Sequence, residues 1–240
     1  MSTFPTTLDL GTAHRALGAL LQDPDDTKQA FRIVKALGGP TAERMFRRFR
    51  DTDAGRAVLR ERRSLLAALS DTSRLETLPE GTVGHAYLQF LRAHQITAQG
   101  LVEASERGAE ELALDEERLR FSDRVRDMHD LWHVVTGYRG DIVGEAAILA
   151  FIFAQTKNPG AGFIALAGFA KLGPIPGARR VIAQGFVRGL KAQWLVAVDW
   201  EGMLARPLVD VRRELGLDAP PVYTPVYTND EAAIAPLRAA

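Results

Sequence analysis

The stretch from Ile142 to Ala170 reads IVGEAAILAFIFAQTKNPGAGFIALAGFA. Nearly every residue is apolar. Glu145 and Lys157 nevertheless sit inside it, and Asn158-Pro159-Gly160 cuts it in two. Each half is shorter than the ~20 residues a bilayer-spanning helix needs. The stretch therefore reads as a pair of buried helices; its functional alternatives are a hydrophobic groove or a face resting on a membrane. Outward from it, helical periodicity continues in both directions. Leu17, Leu20 and Leu21 follow the i, i+3, i+4 rule, as does Thr27 to Leu37. Leu59, Leu65, Leu66 and Leu69 mark another helix. Tyr87, Phe90 and Leu91 mark one that follows Pro79-Glu80-Gly81, with Thr82 as its N-cap. Leu119 to Val135 reads as one long helix. Val143 to Gln155, Gly162 to Leu172 and Ala178 to Val198 come next, and Pro207 to Leu215 is a short one closed by Gly216. Val222 to Thr228 has strand-like residues, but Pro225 interrupts them. Pro220-Pro221 begins an extended C-terminal tail. The expected fold is all-α: a single helical domain over residues 1–240, built as a multi-helix bundle.

Charge narrows the partners. The 240 residues carry 30 Lys+Arg and 30 Asp+Glu, so the formal net charge is zero. A nucleic-acid binder needs surplus positive charge to displace counterions, so nucleic acid is not an expected partner. With no Cys, a disulfide scaffold, a thiolate metal site and a Cys nucleophile are excluded. The first ten residues, MSTFPTTLDL, lack the basic region and apolar core of a signal peptide, and Arg15 is the first basic residue. The corresponding expectation is a bacterial cytoplasmic protein. One local feature departs from neutrality. Arg44, Arg47, Arg48, Arg50, Arg56, Arg60, Arg62 and Arg63 lie close together, offset nearby by Glu43, Asp51, Asp53 and Glu61. They read as a solvated face or as a contact for anionic lipid headgroups, at about 1 kcal/mol per basic residue.

Chemistry concentrates at Met128-His129-Asp130-Leu131-Trp132-His133. Residues four apart share a helix face, so His129 and His133 point the same way. Asp130, three residues before His133, flanks that face. Gly137 and Gly140 break the helix, and Gly144-Glu145 opens the next one. A tight helix–loop–helix returns Glu145 to the two imidazoles. Two imidazoles with carboxylates suit zinc or iron better than magnesium. At most four protein ligands leave room for water or substrate, as a catalytic site requires. Arg126, three residues before His129, could hold a substrate carboxylate bidentately, or could hold Asp130 or Glu145 in place. His14, His85 and His94 have no partner at ligand spacing and read as packing or surface residues.

The motif H-D-x-x-H, eleven residues, then E resembles the signature of the ubiquinone (coenzyme Q) biosynthesis protein four family. It is matched here by His129, Asp130, His133 and Glu145. Leu78-Pro79-Glu80-Gly81-Thr82-Val83-Gly84 resembles that family's L-P-x-G-T-x-G segment. The run from Arg124 to Asp130 resembles its lead into the motif. Trp200-Glu201, Pro207-Leu208 and Arg212-x-Glu214-Leu215-Gly216 resemble its final helix. The resemblance spans about Leu78 to Gly216 and implies several things. The fold would be helical, with the metal site between two adjacent helices. His129, Asp130, His133 and Glu145 would bind a divalent metal. The activity would be oxidative decarboxylation of a polyprenylated benzoate-type quinone precursor, a hydroxyl replacing the ring carboxyl, with molecular oxygen as possible co-substrate. Further implied are a homodimer, peripheral attachment to the inner membrane surface and other quinone-biosynthetic enzymes as partners.

The physical reading is compatible: a polar ring calls for a Lewis acid and Arg126, and a prenyl tail for a greasy slot. Ile148, Leu149, Phe151, Ile152, Phe163, Ile164, Leu166 and Phe169 are candidates to line one, or are ordinary core. The runner-up is a non-catalytic prenyl-lipid-binding scaffold that organises quinone-biosynthetic enzymes around a structural metal. A third reading, a metal-dependent phosphohydrolase built on His129-Asp130, would need His85 or His94 and Asp199 as further ligands.

Overall fold

The computed structural model describes residues 4–107, 114–217 and 219–238. Side-chain caps set many helix starts. Asp9, Thr52, Ser64, Asp71, Thr82, Asp115, Asp141 and Asn158 each accept a hydrogen bond from a backbone N–H of the following turn, satisfying donors that a helix leaves unpaired. The resulting order is α1 (Leu10–Gln22), α2 (Thr27–Ala36), α3 (Gly39–Arg50), α4 (Asp53–Glu61), α5 (Leu65–Ser70), α6 (Thr72–Glu76), α7 (Val83–His94) and α8 (Ala98–Arg107). It continues with α9 (Glu116–Asp127), α10 (His129–Thr136), α11 (Ile142–Thr156), α12 (Pro159–Lys171), α13 (Ala178–Lys191), α14 (Trp200–Met203), α15 (Leu208–Glu214) and α16 (Glu231–Arg238). No strand occurs among the described residues, so the all-α expectation holds.

Helix α11 is the axis of the fold. It packs against α13 on one side and α12 on the other, while α12 also packs on α2, and α10 on α7, α9 and α15. The contact with α13 is backbone to backbone. A Cβ on Gly185 would lie 2.2 Å from Ala147 O, and one on Gly189 would lie 2.8 Å from Phe151 O. Ile148 and Phe151 are fully buried, so these two fill the core rather than line a slot. A large apolar cluster surrounds them and includes Phe46, Phe49, Phe121, Tyr87, Trp132 and Trp200. A smaller one joins Ala13, Ala16, Ile33 and Leu37 of the first two helices to Ile164 of α12.

Two sequence expectations shift. The helix expected over Leu119–Val135 is interrupted at Met128, which still donates to Arg124 O and accepts from Trp132 N. The helix expected to reach Val198 ends at Lys191. Gln155 redirects the chain there: its Oε1 accepts from Leu195 N at 2.8 Å, and its Nε2 donates to Gly189 O at 2.7 Å. Residues 195–197 then form a single 3₁₀ turn. The extended tail after Pro220 is present, but it leads into α16, which periodicity did not indicate.

Candidate functional site

The site forms where α10 turns back into α11. Gly137 ends α10 with φ of 79°, a left-handed conformation that glycine adopts without strain. Asp141 then caps α11. At Gly144 a Cβ would lie 2.0 Å from Arg139 O, so only glycine lets the loop fold this tightly onto the new helix. The result returns Glu145 to the face of α10 that carries His129 and His133. Nitrogen or oxygen atoms of these three side chains all lie within 4.8 Å of one another.

Hydrogen bonds fix which imidazole nitrogens face inward. His133 Nδ1 lies 3.0 Å from Tyr138 O. A carbonyl only accepts, so Nδ1 carries the hydrogen and Nε2 is left for the site. That Nε2 is buried without a hydrogen-bond partner, 3.3 Å from Glu145 Oε1. His129 Nδ1 lies 3.1 Å from Asp130 Oδ1, and its Nε2 is 3.9 Å from Glu145 Oε2. Asp130 thus backs His129 and lies outside the three-residue group. A carboxylate behind a histidine is the arrangement that orients imidazoles at metal ions. Phe90 stacks on His133 at 5.2 Å and holds the ring plane.

The electrostatics draw positive charge to this point. Burial disfavours ionisation of Glu145, yet the imidazoles of His133, His129 and His94 outweigh it and pull the carboxyl down to about 2. Burial likewise opposes a charged His133, and the Glu145 carboxylate outweighs it, raising the imidazole. His133 is 1% exposed, whereas the Glu145 side chain keeps 43% of its surface open to a cavity. An orphaned buried Nε2, a second Nε2 and an ionised carboxylate with open space beside them fit a divalent ion with positions left for ligand or water.

That cavity occupies roughly 1870 Å³ and is lined by residues of both apolar clusters. Ordinary small-molecule pockets hold ~300–1,000 Å³. Its polar end carries Arg126, His129, Asp130 and Glu145; its apolar walls include Leu20, Phe31, Val34, Leu149, Ile152 and Ile164. Phe163, Leu166 and Phe169 do not line it. They face outward and are exposed. Arg126 is held by Asp127 (Nε to Oδ1, 2.9 Å) and Asp123 (Nη1 to Oδ1, 3.1 Å), not by Asp130 or Glu145. His94, read from sequence as packing or surface, lines the cavity against Phe90 and Gly140. Its only sequence signal was Phe90, one helical turn away. Asp199 caps α14 and pairs with Arg63, while His85 bonds to Leu78 O and Gln89. Neither they nor His94 join the three-residue group, so the phosphohydrolase constellation is not assembled.

Similarity to known proteins points to one family. Residues 8–221 match the family model for "Coenzyme Q (ubiquinone) biosynthesis protein Coq4". The chain is 34% identical over 197 residues to a protein of Talaromyces marneffei named "Ubiquinone biosynthesis protein coq4, mitochondrial", covering 79% of this chain and 66% of that one. A protein of the same name from Botryotinia fuckeliana is 32% identical over 198 residues, covering 78% and 68%. The chain therefore spans about two thirds of the length of these curated relatives. A crystal structure of a candidate ubiquinone biosynthesis protein from Nostoc punctiforme shares the fold, with a TM-score of 0.63 at 21% identity over 89% of this chain and all of the other. The fungal names overturn one expectation. These relatives are mitochondrial proteins, which corrects the reading of a bacterial cytoplasm with inner-membrane attachment. The absence of a leader pattern in the first ten residues was too weak a basis for it. On the extent of the family match and the identity to these relatives, the chain belongs to the Coq4 family of coenzyme Q (ubiquinone) biosynthesis proteins.

Proposed function

We propose that this protein is a metal-dependent oxidative decarboxylase of ubiquinone biosynthesis. Its substrate is a polyprenylated benzoate-type precursor whose ring carboxyl leaves as carbon dioxide and is replaced by a hydroxyl; molecular oxygen takes the two electrons, so that ring acid, oxygen and water give ring hydroxyl, carbon dioxide and hydrogen peroxide. One observation carries the reading: two imidazole Nε2 atoms turn toward one carboxylate at the polar end of a large apolar cavity. His129, His133 and Glu145, with Asp130 behind His129, would hold zinc or iron, and the ion would supply a Lewis acid for negative charge on the ring oxygens. The protein's own groups do the remaining work. Arg126 keeps donors free beside those given to Asp123 and Asp127 and orients the substrate carboxylate. The apolar walls take the prenyl tail and keep water from the ring. Glu145, open to the cavity, is placed to move a proton at its Oε atoms.

The test is mass spectrometry of lipids from cells lacking the protein, complemented with wild type or Glu145→Ala. Accumulation of a prenylated ring that keeps its carboxyl group supports the enzyme. Normal quinone from the variant overturns it and gives precedence to a scaffold for quinone-biosynthetic enzymes.

A membrane surface is part of the same reading, and the outer side of α12 and α13 supports it. Phe163, Leu166, Phe169, Val187 and Leu190 are exposed there. From Ala146 to Val198 the chain has no Asp or Glu, while Lys157, Lys171, Arg179, Arg180 and Lys191 supply positive charge. Exposed apolar side chains flanked by cations suit an anionic bilayer surface. The double variant Leu166→Glu/Leu190→Glu is expected to lose most sedimentation with phosphatidylcholine–phosphatidylserine vesicles. Unchanged sedimentation removes the membrane from this face. Loss of a dimer in analytical ultracentrifugation, with vesicle binding intact, gives the face to a second copy.

A further inference from the structure

The family match ends at residue 221, but the chain beyond it is built onto the site. Tyr223 Oη donates to Asp141 Oδ2 at 2.6 Å and accepts from Arg139 N at 3.0 Å. Val226 N donates to Asp141 Oδ1 at 3.0 Å, and Val226 O accepts from Ile142 N at 3.0 Å. Val226 and Asp141 are both buried. This first half of the tail is pinned to the very loop that joins the two helices of the site.

The second half is held differently. Thr228 Oγ1 donates to Asp25 Oδ2 at 2.7 Å, an exposed bond to the turn between α1 and α2. Thr228, Asp23, Pro24 and Asp25 all border the cavity, so this bond bridges its rim. Helix α16 then sets Ile234 and Leu237, both half-buried, into the cavity wall. The exposed Thr228–Asp25 bond and half-buried side chains hold this segment less tightly than buried Val226 and Asp141 hold the first half, which supplies a fixed hinge.

We propose that residues 228–238 are the gate of the apolar cavity, and that Ile234 and Leu237 set the length of the apolar chain it accepts. The inference rests on the reading that the cavity takes a prenyl chain. It adds a specificity element outside the region shared with the family.

The chain has no Cys, which makes the gate directly testable. In Asp25→Cys/Thr228→Cys, a bis-methanethiosulfonate linker ties the rim shut and a reductant cleaves it. Trp132 lines the cavity and reports uptake of geranylgeraniol by fluorescence, with Trp132→Phe identifying its signal. Linking is expected to slow uptake about tenfold or more, with recovery on cleavage, because entry then requires a motion that has been blocked. Equal rates in linked and cleaved protein overturn the gate. Uptake in no form of the protein overturns the prenyl-chain reading and the gate with it. For length, Ile234→Ala/Leu237→Ala is expected to shift preference from geranylgeraniol toward solanesol, and Ile234→Trp toward farnesol. Identical chain-length profiles in wild type and both variants overturn the role of these two residues.

Discussion

Arg124 and Glu201 meet in two bonds of 2.7 and 2.8 Å, and Val198 O takes a further Arg124 N–H at 3.2 Å. Arg118 and Glu43 meet the same way, at 2.8 and 2.7 Å, with Asp115 as a second acceptor. A few residues further along the same run of helix, His129 and His133 turn bare Nε2 atoms toward Glu145. The first two groups are buried charge brought to completion: donors face acceptors, and only Arg124 Nε is left over. The third is buried polarity left short of a cation: His133 Nε2 has no hydrogen-bond partner, and the imidazole and the Glu145 carboxylate each favour the other's charged form. A satisfied ion pair holds the fold together, whereas an unsatisfied cluster at a cavity lowers stability unless a cation completes it. The contrast separates arginines that build the scaffold from histidines grouped at the cavity, and mutation should keep them separate.

The largest effect is expected at Arg124. It is 2% exposed, and its removal strands the Glu201 carboxylate, which burial penalises and Arg124 now pulls down. Breaking a buried pair from one side costs ~3–5 kcal/mol. Arg124→Ala should lose about that much in urea unfolding, while metal bound per folded molecule stays at the wild-type level. A loss below about 1 kcal/mol would mean that the pair contributes no more than a surface salt bridge.

The converse holds for the cluster. His133→Ala should remove most bound metal in competition against a chelator, where Arg124→Ala leaves it; in the apo-protein the variant also withdraws the imidazole that pulls the Glu145 carboxyl down. Asp130→Asn sharpens the same comparison. If Asp130 acts through His129 Nδ1, the variant should weaken metal binding by about 10–100-fold and leave stoichiometry unchanged. Loss of stoichiometric binding would instead make Asp130 a ligand in the occupied site.

The fold and the centre of the site were legible for related reasons. Helical period, the Thr82 cap and the Asn158-Pro159 break are local signals, and α7, α11 and α12 follow from them. His129 and His133 share one helical turn, and Glu145 needs only a short glycine-rich loop to reach them. What depended on distant partners was not legible. The arginines between Arg44 and Arg63 read as a solvated face or a lipid contact, with their ion-pair partners out of view. In the fold Arg47 meets Glu43, Arg60 and Arg63 meet Glu61, and Arg62 meets Glu116, which lies more than fifty residues away. His94 was set aside because its neighbours Gly140 and Glu145 are remote in sequence, and α16 because eight residues carry too little periodicity to stand out.

The smallest expected effect tests the satisfied side of the comparison through pH. Arg118 and Arg47 hold the Glu43 carboxyl at about 2, against an ordinary value of 4.5, with burial opposing them. A depressed folded-state value means that the ionised form is favoured by folding. The contribution of Glu43 is therefore complete above pH 4.5 and disappears as pH falls from 4.5 toward 2. Glu43→Gln keeps one acceptor for Arg118 and removes the charge. Its stability deficit should be about 2 kcal/mol near neutrality, shrink through that window, and approach zero near pH 2, read as the gap between urea-unfolding curves of the two proteins. A gap that stays constant from neutrality down to pH 2 would show that Glu43 contributes through shape and neutral hydrogen bonding, and the distinction between completed charge and incomplete polarity would then rest on Arg124 and Glu201 alone.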